Sequence, residues 1–329
     1  MEHQERVSIV IPCFNREQYI GDSIESCLRQ THAPAEIIVV DDGSTDRSVE
    51  RIQRHGPRVT CIQSTNHGPG HARNLGVKAA TGEFVQFLDS DDLLVHDAVA
   101  NELAMFRAFP DSDIVYGRVF VPYNFKFGAD YVVPEKLADR VDAGRLLPMT
   151  AMGEEIGLPI PTSVPLLYRR RVLVESGGYD ESVRALDNIE INFRLYFSGY
   201  RFRFFDHIVI VYRDDRTIAR VTDRESWESD DAAHAYETMI RFADSSGALR
   251  GGVRAGVVAM LYHGGHYAVS RGRPDLAARY FALANEIVPG LVPGTPLFKR
   301  LTRIVGPVRA SRLVNLRTRL NRNVARAAG

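Results

Sequence analysis

Cysteine is scarce in this chain. Cys13, Cys27 and Cys61 are an odd number at spacings that fit no metal knuckle, so ordinary buried thiols in a reducing compartment are expected. Net charge is absent too, because 41 Lys and Arg offset 41 Asp and Glu. Nothing then pulls the whole molecule toward nucleic acid or a membrane. No apolar run approaches the length of a spanning helix. The opening MEHQERVSIVIP carries acids and only a short apolar run, unlike a signal peptide. These absences predict a cytoplasmic protein. One further absence is local. From Lys299 to Gly329 there is no Asp or Glu, whereas Lys299, Arg300, Arg303, Arg309, Arg312, Arg317, Arg319, Arg322 and Arg326 make nine bases. That is a basic tail on a neutral chain.

What is present is a globular mixture, 45% hydrophobic and 25% charged over 329 residues. The length predicts one large domain with a smaller appendage. Continuous apolar runs at Val7–Ile11, Glu36–Val40, Val59–Ile62 and Phe84–Leu88 read as strands. Stretches of helical spacing lie between them: Tyr19–Gln30, Ser44–His55 with Ser44 as cap, and His71–Ala80. Strands alternating with helices predict an α/β fold, a mostly parallel sheet flanked by helices. A strand with a break near Asp206–His207 is expected over Tyr200–Tyr212, and a wholly helical region from about Asp230. Within that region Leu261–Glu286 reads as a helical hairpin turning at Gly272–Pro274. The expected domains are 1–225, divided into halves 1–120 and 121–225, and a helical extension over 226–329.

Sheets of this kind bind ligands beyond the carboxyl ends of their strands. PCFNR follows the first strand, DDGSTD the second and DSDD the fourth, and polar groups on three neighbouring ends point to a site. Asp89, Asp91 and Asp92 within four residues repel one another unless something positive sits among them. Oxygen donors on a short loop suit Mg²⁺ or Mn²⁺ with positions left for phosphate. The alternative is that Asp91 or Asp92 caps a helix over Asp97–Phe106.

Five segments decide between these readings: VSIVIPCFNRE at 7–17, EIIVVDDGSTDRS at 36–48, NHGPGHARNLGVKAATGEFVQFLDSDD at 66–92, GGYDES at 177–182 and FRLYFSGYRF at 193–202. In order and spacing they resemble the inverting glycosyltransferases of family 2, with the GT-A fold, over roughly residues 6–215. The resemblance implies a nucleotide-diphospho-sugar donor, with a UDP-sugar expected. It implies that Pro12, Phe14 and Asn15 line a nucleobase pocket with Glu17 beside it, and that Asp41 or Asp42 accepts a hydrogen bond from the base. Arg73 lies near the nucleotide, and Gly68 and Gly70 allow close backbone approach. It also implies that Asp91 is the direct metal ligand, while Asp89 contacts the ribose or a metal-bound water. The acids then hold a cation that offsets the charge of the leaving diphosphate.

The sequence departs from the family in two places. A general base for the acceptor hydroxyl is expected from a Glu-Asp pair before Arg194-Leu195, but here the pair reads Asp187-Asn188. Asparagine is no base at neutral pH. Asp187 takes over, or Glu190 does, or transfer is impaired and the chain only binds nucleotide-sugar. A polyprenyl-phosphate glycosyltransferase, which needs less of a base, is a further alternative. The family's His after a final Tyr-Arg is also missing, with Asp214 and Asp215 following Tyr212-Arg213. The Gln-x-x-Arg-Trp signature of processive synthases is absent as well, which favours addition of one sugar. The expected acceptor is a glycan or lipid-linked hydroxyl in bacterial surface glycan synthesis, and the arginine-heavy composition is compatible with a GC-rich bacterial genome. Apolar residues among the tail's arginines, broken at Pro307, suit peripheral contact with the inner face of a membrane. His67, His71 and His96 flank the site by sequence and are assigned surface or hydrogen-bonded roles.

Overall fold

The computed structural model describes residues 5–122, 144–146, 166–213, 229–247, 249 and 252–314. They fall into two compact units, one containing the described residues up to 213 and the other those from 229 onward. The boundary expected at 225/226 lies outside the described residues.

The first unit runs β1 (Val7–Cys13), α1 (Ile20–Leu28), β2 (Glu36–Asp41), α2 (Ser48–Gln53), a 3₁₀ turn (Gly56–Arg58), β3 (Thr60–Gln63), α3 (Pro69–Ala79) and β4 (Phe84–Phe87). It continues with β5 (Leu93–Leu94), α4 (Ala98–Ala108), β6 (Ile114–Pro122), β7 (Gly144–Leu146), β8 (Leu166–Arg169), α5 (Arg170–Glu175), α6 (Asp187–Phe197) and β9 (Phe202–Val211). Among the described residues one sheet has the order β3-β2-β1-β4-β8-β6-β9-β5, with β7 on β6. The expected division at 120/121 falls inside β6. Strands β1 to β4 are mutually parallel, β8 is antiparallel to β4 and β6, β9 is parallel to β6, and β5 is antiparallel to β9.

All seven β1 residues are buried, because both faces of the sheet are covered. Ile9 and Ile11 point into a core with Ile20 and Ile24 of α1 and Leu103 and Phe106 of α4. Val10 points the other way, onto Ala72 and Val77 of α3, Val172 of α5 and Ile191 of α6. At that crossing α3 lies so close to β1 that a Cβ on Gly76 would overlap the Val10 side chain.

Three details differ from, or refine, the sequence reading. The helix expected over Ser44–His55 is shorter, running only from Ser48 to Gln53. Ser44 therefore caps nothing. It accepts from the Asn15 amide (2.9 Å), while Asp46 accepts from the Ser48 amide (2.9 Å). The acids 89–92 cap no helix either, since β5 intervenes before α4 begins. The break expected near Asp206–His207 is present: Tyr116 pairs with Phe204 but Arg118 with Ile208, which leaves Phe205–His207 as a bulge.

Among the described residues, the second unit consists of α7 (Asp230–Ser245), α8 (Gly252–Ser270), α9 (Pro274–Ile287), α10 (Pro296–Val305) and a helical segment at 307–314. Ser229 Oγ caps α7 by accepting from the Ala232 amide (3.2 Å). The expected hairpin turns at Gly272, φ 85°, between α8 and α9. Tyr262, His266, Phe281 and Phe298 pack as an aromatic cluster within this unit. No helix among the described residues is long and apolar enough to cross a membrane.

Candidate active site

The order β2-β1-β4 brings three polar strand ends side by side. The turn after β1 presents Phe14, exposed, and Asn15, whose φ of 51° is unusual for a residue with a side chain. Pro12 stays inside β1, opposite Val40. Asn15 Oδ1 accepts from the Thr45 amide (2.8 Å) and its own amide donates to Ser44, so the turns after β1 and β2 are stitched together. Glu17 is paired with Arg47: its carboxylate accepts from the Arg47 amide (3.0 Å) and Nε (3.1 Å), and these bonds lower its pKa. The Cys13 thiol at the end of β1 is pushed up to about 12 by burial, with Asp41 adding to the shift, and stays protonated.

The two acids after β2 separate in role. Asp42 accepts from the amides of His67 (3.1 Å) and Gly68 (2.7 Å) and so holds the entry to α3. Gly68 has φ 101°, which a residue with a Cβ rarely adopts. Asp41 accepts from the Ser44 amide through Oδ2 (3.1 Å), but its buried Oδ1 has no hydrogen-bond partner among the described residues. Such an oxygen is costly unless a ligand donor meets it. A Cβ on Gly70 would meet the Tyr179 Cβ at 3.4 Å and Asp187 Oδ2 at 3.9 Å.

Each acid of DSDD meets an arginine. Arg73 of α3, 3% exposed, donates from Nη2 to Asp89 (2.7 Å) and from Nη1 to Asp187. Arg16 Nε donates to Asp91 Oδ2 (3.2 Å). The Arg213 backbone amide donates to Asp92 (3.1 Å), and its Nη2 to Asp22 (3.0 Å). From beneath, Ser23 Oγ of α1 donates to the carbonyls of Ser90 (3.0 Å) and Asp92 (2.7 Å). Among the described residues, three carboxylates, Asp89, Asp91 and Asp187, thus face two guanidiniums, those of Arg16 and Arg73. This hard-oxygen set with surplus negative charge fits a divalent cation. Among the described residues no three metal-binding side chains converge, so water and ligand phosphate would supply the remaining positions.

Leu186 is buried in the left-handed conformation, φ 62° and ψ 21°, directly before α6. That backbone costs a non-glycine residue about 1–2 kcal/mol, and strain of this kind gathers at functional sites. It turns the buried Asp187 onto Arg73. Burial raises the Asp187 pKa, and Arg73 opposes the rise. Asn188 Oδ1 accepts from the Tyr179 hydroxyl (3.1 Å). Glu190 is bound by Arg194 through Nε (2.8 Å) and Nη2 (3.1 Å), and Arg194 also donates to the carbonyls of Ser176 (2.9 Å) and Gly178 (2.7 Å). Glu190 is thereby tied through Arg194 to the turn at 176–178.

Three contributors carry more than the sequence reading assigned them. Arg16 stands in PCFNR and was passed over between Asn15 and Glu17. Asn74, beside Arg73 in HARN, accepts from the Tyr179 amide (2.8 Å) and donates to its carbonyl (2.9 Å) and to Glu181 (2.9 Å). Tyr179 lies under Arg73, 5.3 Å from ring centroid to guanidinium carbon. The motifs containing them were visible, and their contacts were not. The rings of His67 and His71 pack tilted to each other at 4.7 Å, with His71 on Glu181 (2.8 Å), while His96 is exposed with its carbonyl bound by the Thr31 amide. Asp214, Asp215, 315–329 and all of 123–165 except 144–146 lie outside the described residues.

A mostly parallel sheet with paired acids at one rim is found in a recognisable class of protein, and comparison places this chain within it. The family model for glycosyl transferase family 2 matches residues 8–177. The chain belongs to that family. An uncharacterized glycosyltransferase of Rickettsia felis is 44% identical over 103 residues, covering 31% of this chain and 17% of its own length. The uncharacterized glycosyltransferase EpsJ of Bacillus subtilis is 32% identical over 221 residues, 64% of this chain and 61% of that protein. The chain thus spans less than two thirds of these relatives. Among solved structures, S. aureus TarS matches with a TM-score of 0.52 at 18% identity, covering 85% of this chain and 55% of TarS. A TarS 1–349 complex with UDP-GlcNAc matches at 0.51 and 17% identity, covering 92% and 95%. At these identities the likeness shows the fold.

Proposed function

We propose that this chain is an inverting, metal-dependent glycosyltransferase that moves one sugar from a nucleotide-diphospho-sugar, a UDP-sugar, to an acceptor hydroxyl. The observation that carries this reading is Arg73 bridging Asp89 at the donor rim and Asp187 at the head of α6. In our reading the orphaned Asp41 oxygen takes the imide N–H of the base, and Phe14 and Asn15 line its pocket. Asp187 takes the proton of the acceptor hydroxyl as that oxygen bonds to the anomeric carbon and the carbon–diphosphate bond breaks. Burial makes Asp187 a better proton acceptor than an exposed carboxylate, and Arg73 fixes its direction. Mg²⁺ or Mn²⁺ on Asp91 and Asp89 would stabilise the charge of the departing diphosphate. The acceptor belongs to a glycan or a lipid-linked carrier of a bacterial surface glycan.

Two experiments test this. Melting curves with UDP-, GDP-, dTDP- and CMP-sugars, with and without Mn²⁺, should show stabilisation by one nucleotide class, lost in Asp91→Ala. No stabilisation in any combination would remove the donor site from the reading. Sugar release from the bound donor, with water as acceptor, should fall by about 10²–10⁴ in Asp187→Asn while nucleotide binding persists. Asn188→Asp should change it by less than about tenfold. A large gain in Asn188→Asp would instead mark the natural chain as catalytically impaired.

A further inference from the structure

Asp91 is the carboxylate expected to hold a divalent ion, yet it already has a cation. Arg16 Nε donates to its Oδ2 at 3.2 Å. The guanidinium is no stray surface group: the side chain is 16% exposed, and Nη1 donates to the carbonyls of Phe14 (3.3 Å) and Asn15 (3.0 Å). Asn15, in the middle of this turn, is itself left-handed at φ 51°. The same turn is fixed at the Arg16 amide, which donates to Ser48 Oγ (2.8 Å). One short turn therefore presents Phe14 and Asn15 to a nucleoside and a guanidinium to Asp91. Arg73 cannot relieve Arg16 of this task, because it is committed to Asp89 and Asp187.

A guanidinium and a divalent cation compete for one carboxylate oxygen, since like charges at such range repel strongly. A diphosphate carries more charge than one carboxylate and matches the guanidinium fork. We propose that Arg16 is a displaceable counter-ion. It neutralises Asp91 while the donor site is empty, and it turns to the donor's diphosphate as the divalent ion takes Asp91. This rests on the donor-site reading above. Its consequence is that ion and nucleotide load together. Each strengthens the other by the same factor, as linkage requires, and the empty rim does not trap metal.

The test is a titration of Mn²⁺ into the full chain, with free ion followed by electron paramagnetic resonance, with and without saturating UDP. Calorimetry of UDP without metal runs beside it. The natural chain should bind Mn²⁺ weakly alone and at least about tenfold tighter with UDP. Arg16→Gln should bind Mn²⁺ alone about fivefold tighter or more, and its gain from UDP should shrink. Arg16→Lys keeps the charge without the fork, so its Mn²⁺ affinity without UDP should stay nearer the natural chain than that of Arg16→Gln, whereas Asp91→Asn should lose the ion in both conditions. If Arg16 only braces its turn, Arg16→Gln will show unchanged or weaker Mn²⁺ affinity without UDP, and that result overturns the proposal. Failure of the natural chain to bind Mn²⁺ even with UDP overturns it too. In that event calorimetry decides the donor reading separately, because UDP binding without metal would leave the donor site standing.

Discussion

Glu102 of α4 is fully buried, and neither carboxylate oxygen has a hydrogen-bond partner among the described residues. Burial alone pushes its pKa well above 4.5. The folded chain therefore holds a proton that the unfolded chain releases near pH 4.5, and stability falls as pH rises from there through the folded pKa. Glu102→Met should add about 1–3 kcal/mol at neutral pH and flatten that dependence, as measured by urea unfolding at pH 5 and pH 8. No dependence to flatten in the natural chain would mean that Glu102 is ionised and solvated. At this scale the sequence shows residue types but not pairings. Asp187 and Asn188 were recognisable at the head of α6, whereas Arg73–Asp187 and Arg16–Asp91 join residues 114 and 75 positions apart. The choice between Asp41 and Asp42 was equally hidden, because adjacent residues at a strand end point to opposite sides.

At the scale of elements, α3 works on two faces. Arg73 points into the rim, while the Asn74 amide grips the Tyr179 backbone. Asn74→Ala leaves a backbone N–H and a carbonyl without those partners, and should cost about 1–3 kcal/mol in urea unfolding. It should also lower sugar release more than nucleotide affinity, since the turn it frees carries Tyr179 beneath Arg73 and against Asn188. An equal loss in both would make Asn74 a scaffold residue only. Strands β1 to β4 and helices α1 and α3 were legible because continuous apolar runs and 3.6-residue spacing are local signals. The two-residue β5 was not, because Leu93 and Leu94 form a strand only by pairing with Ile210 and Val211, more than a hundred positions away. The shortening of α2 was hidden for a related reason: the bond between Ser44 and Asn15 competes with a cap, and only the fold reveals it.

At the scale of the molecule, the helical unit carries an unusual surface. Leu297 and Ile304, seven residues apart and therefore on one face of α10, are exposed, Ile304 to 79%, with Arg300 flanking them and Lys299 and Arg303 exposed elsewhere on the same helix. The full chain should bind vesicles containing anionic phosphatidylglycerol, more weakly as salt rises, and Ile304→Asp should reduce binding severalfold. Retention on neutral vesicles at high salt would argue against an electrostatic surface role. The division of labour between sheet and helices was legible from the change of periodicity near Asp230. The free thiols add a last consequence. Cys27 is buried inside α1, and Cys13 is buried at the last residue of β1, against the turn that bears Phe14 and Asn15. Alkylation of Cys27 waits on opening of the core, while alkylation of Cys13 waits on opening of that turn. These two buried thiols thus act as two chemical clocks, and a ligand seated on the turn slows alkylation of Cys13 relative to Cys27.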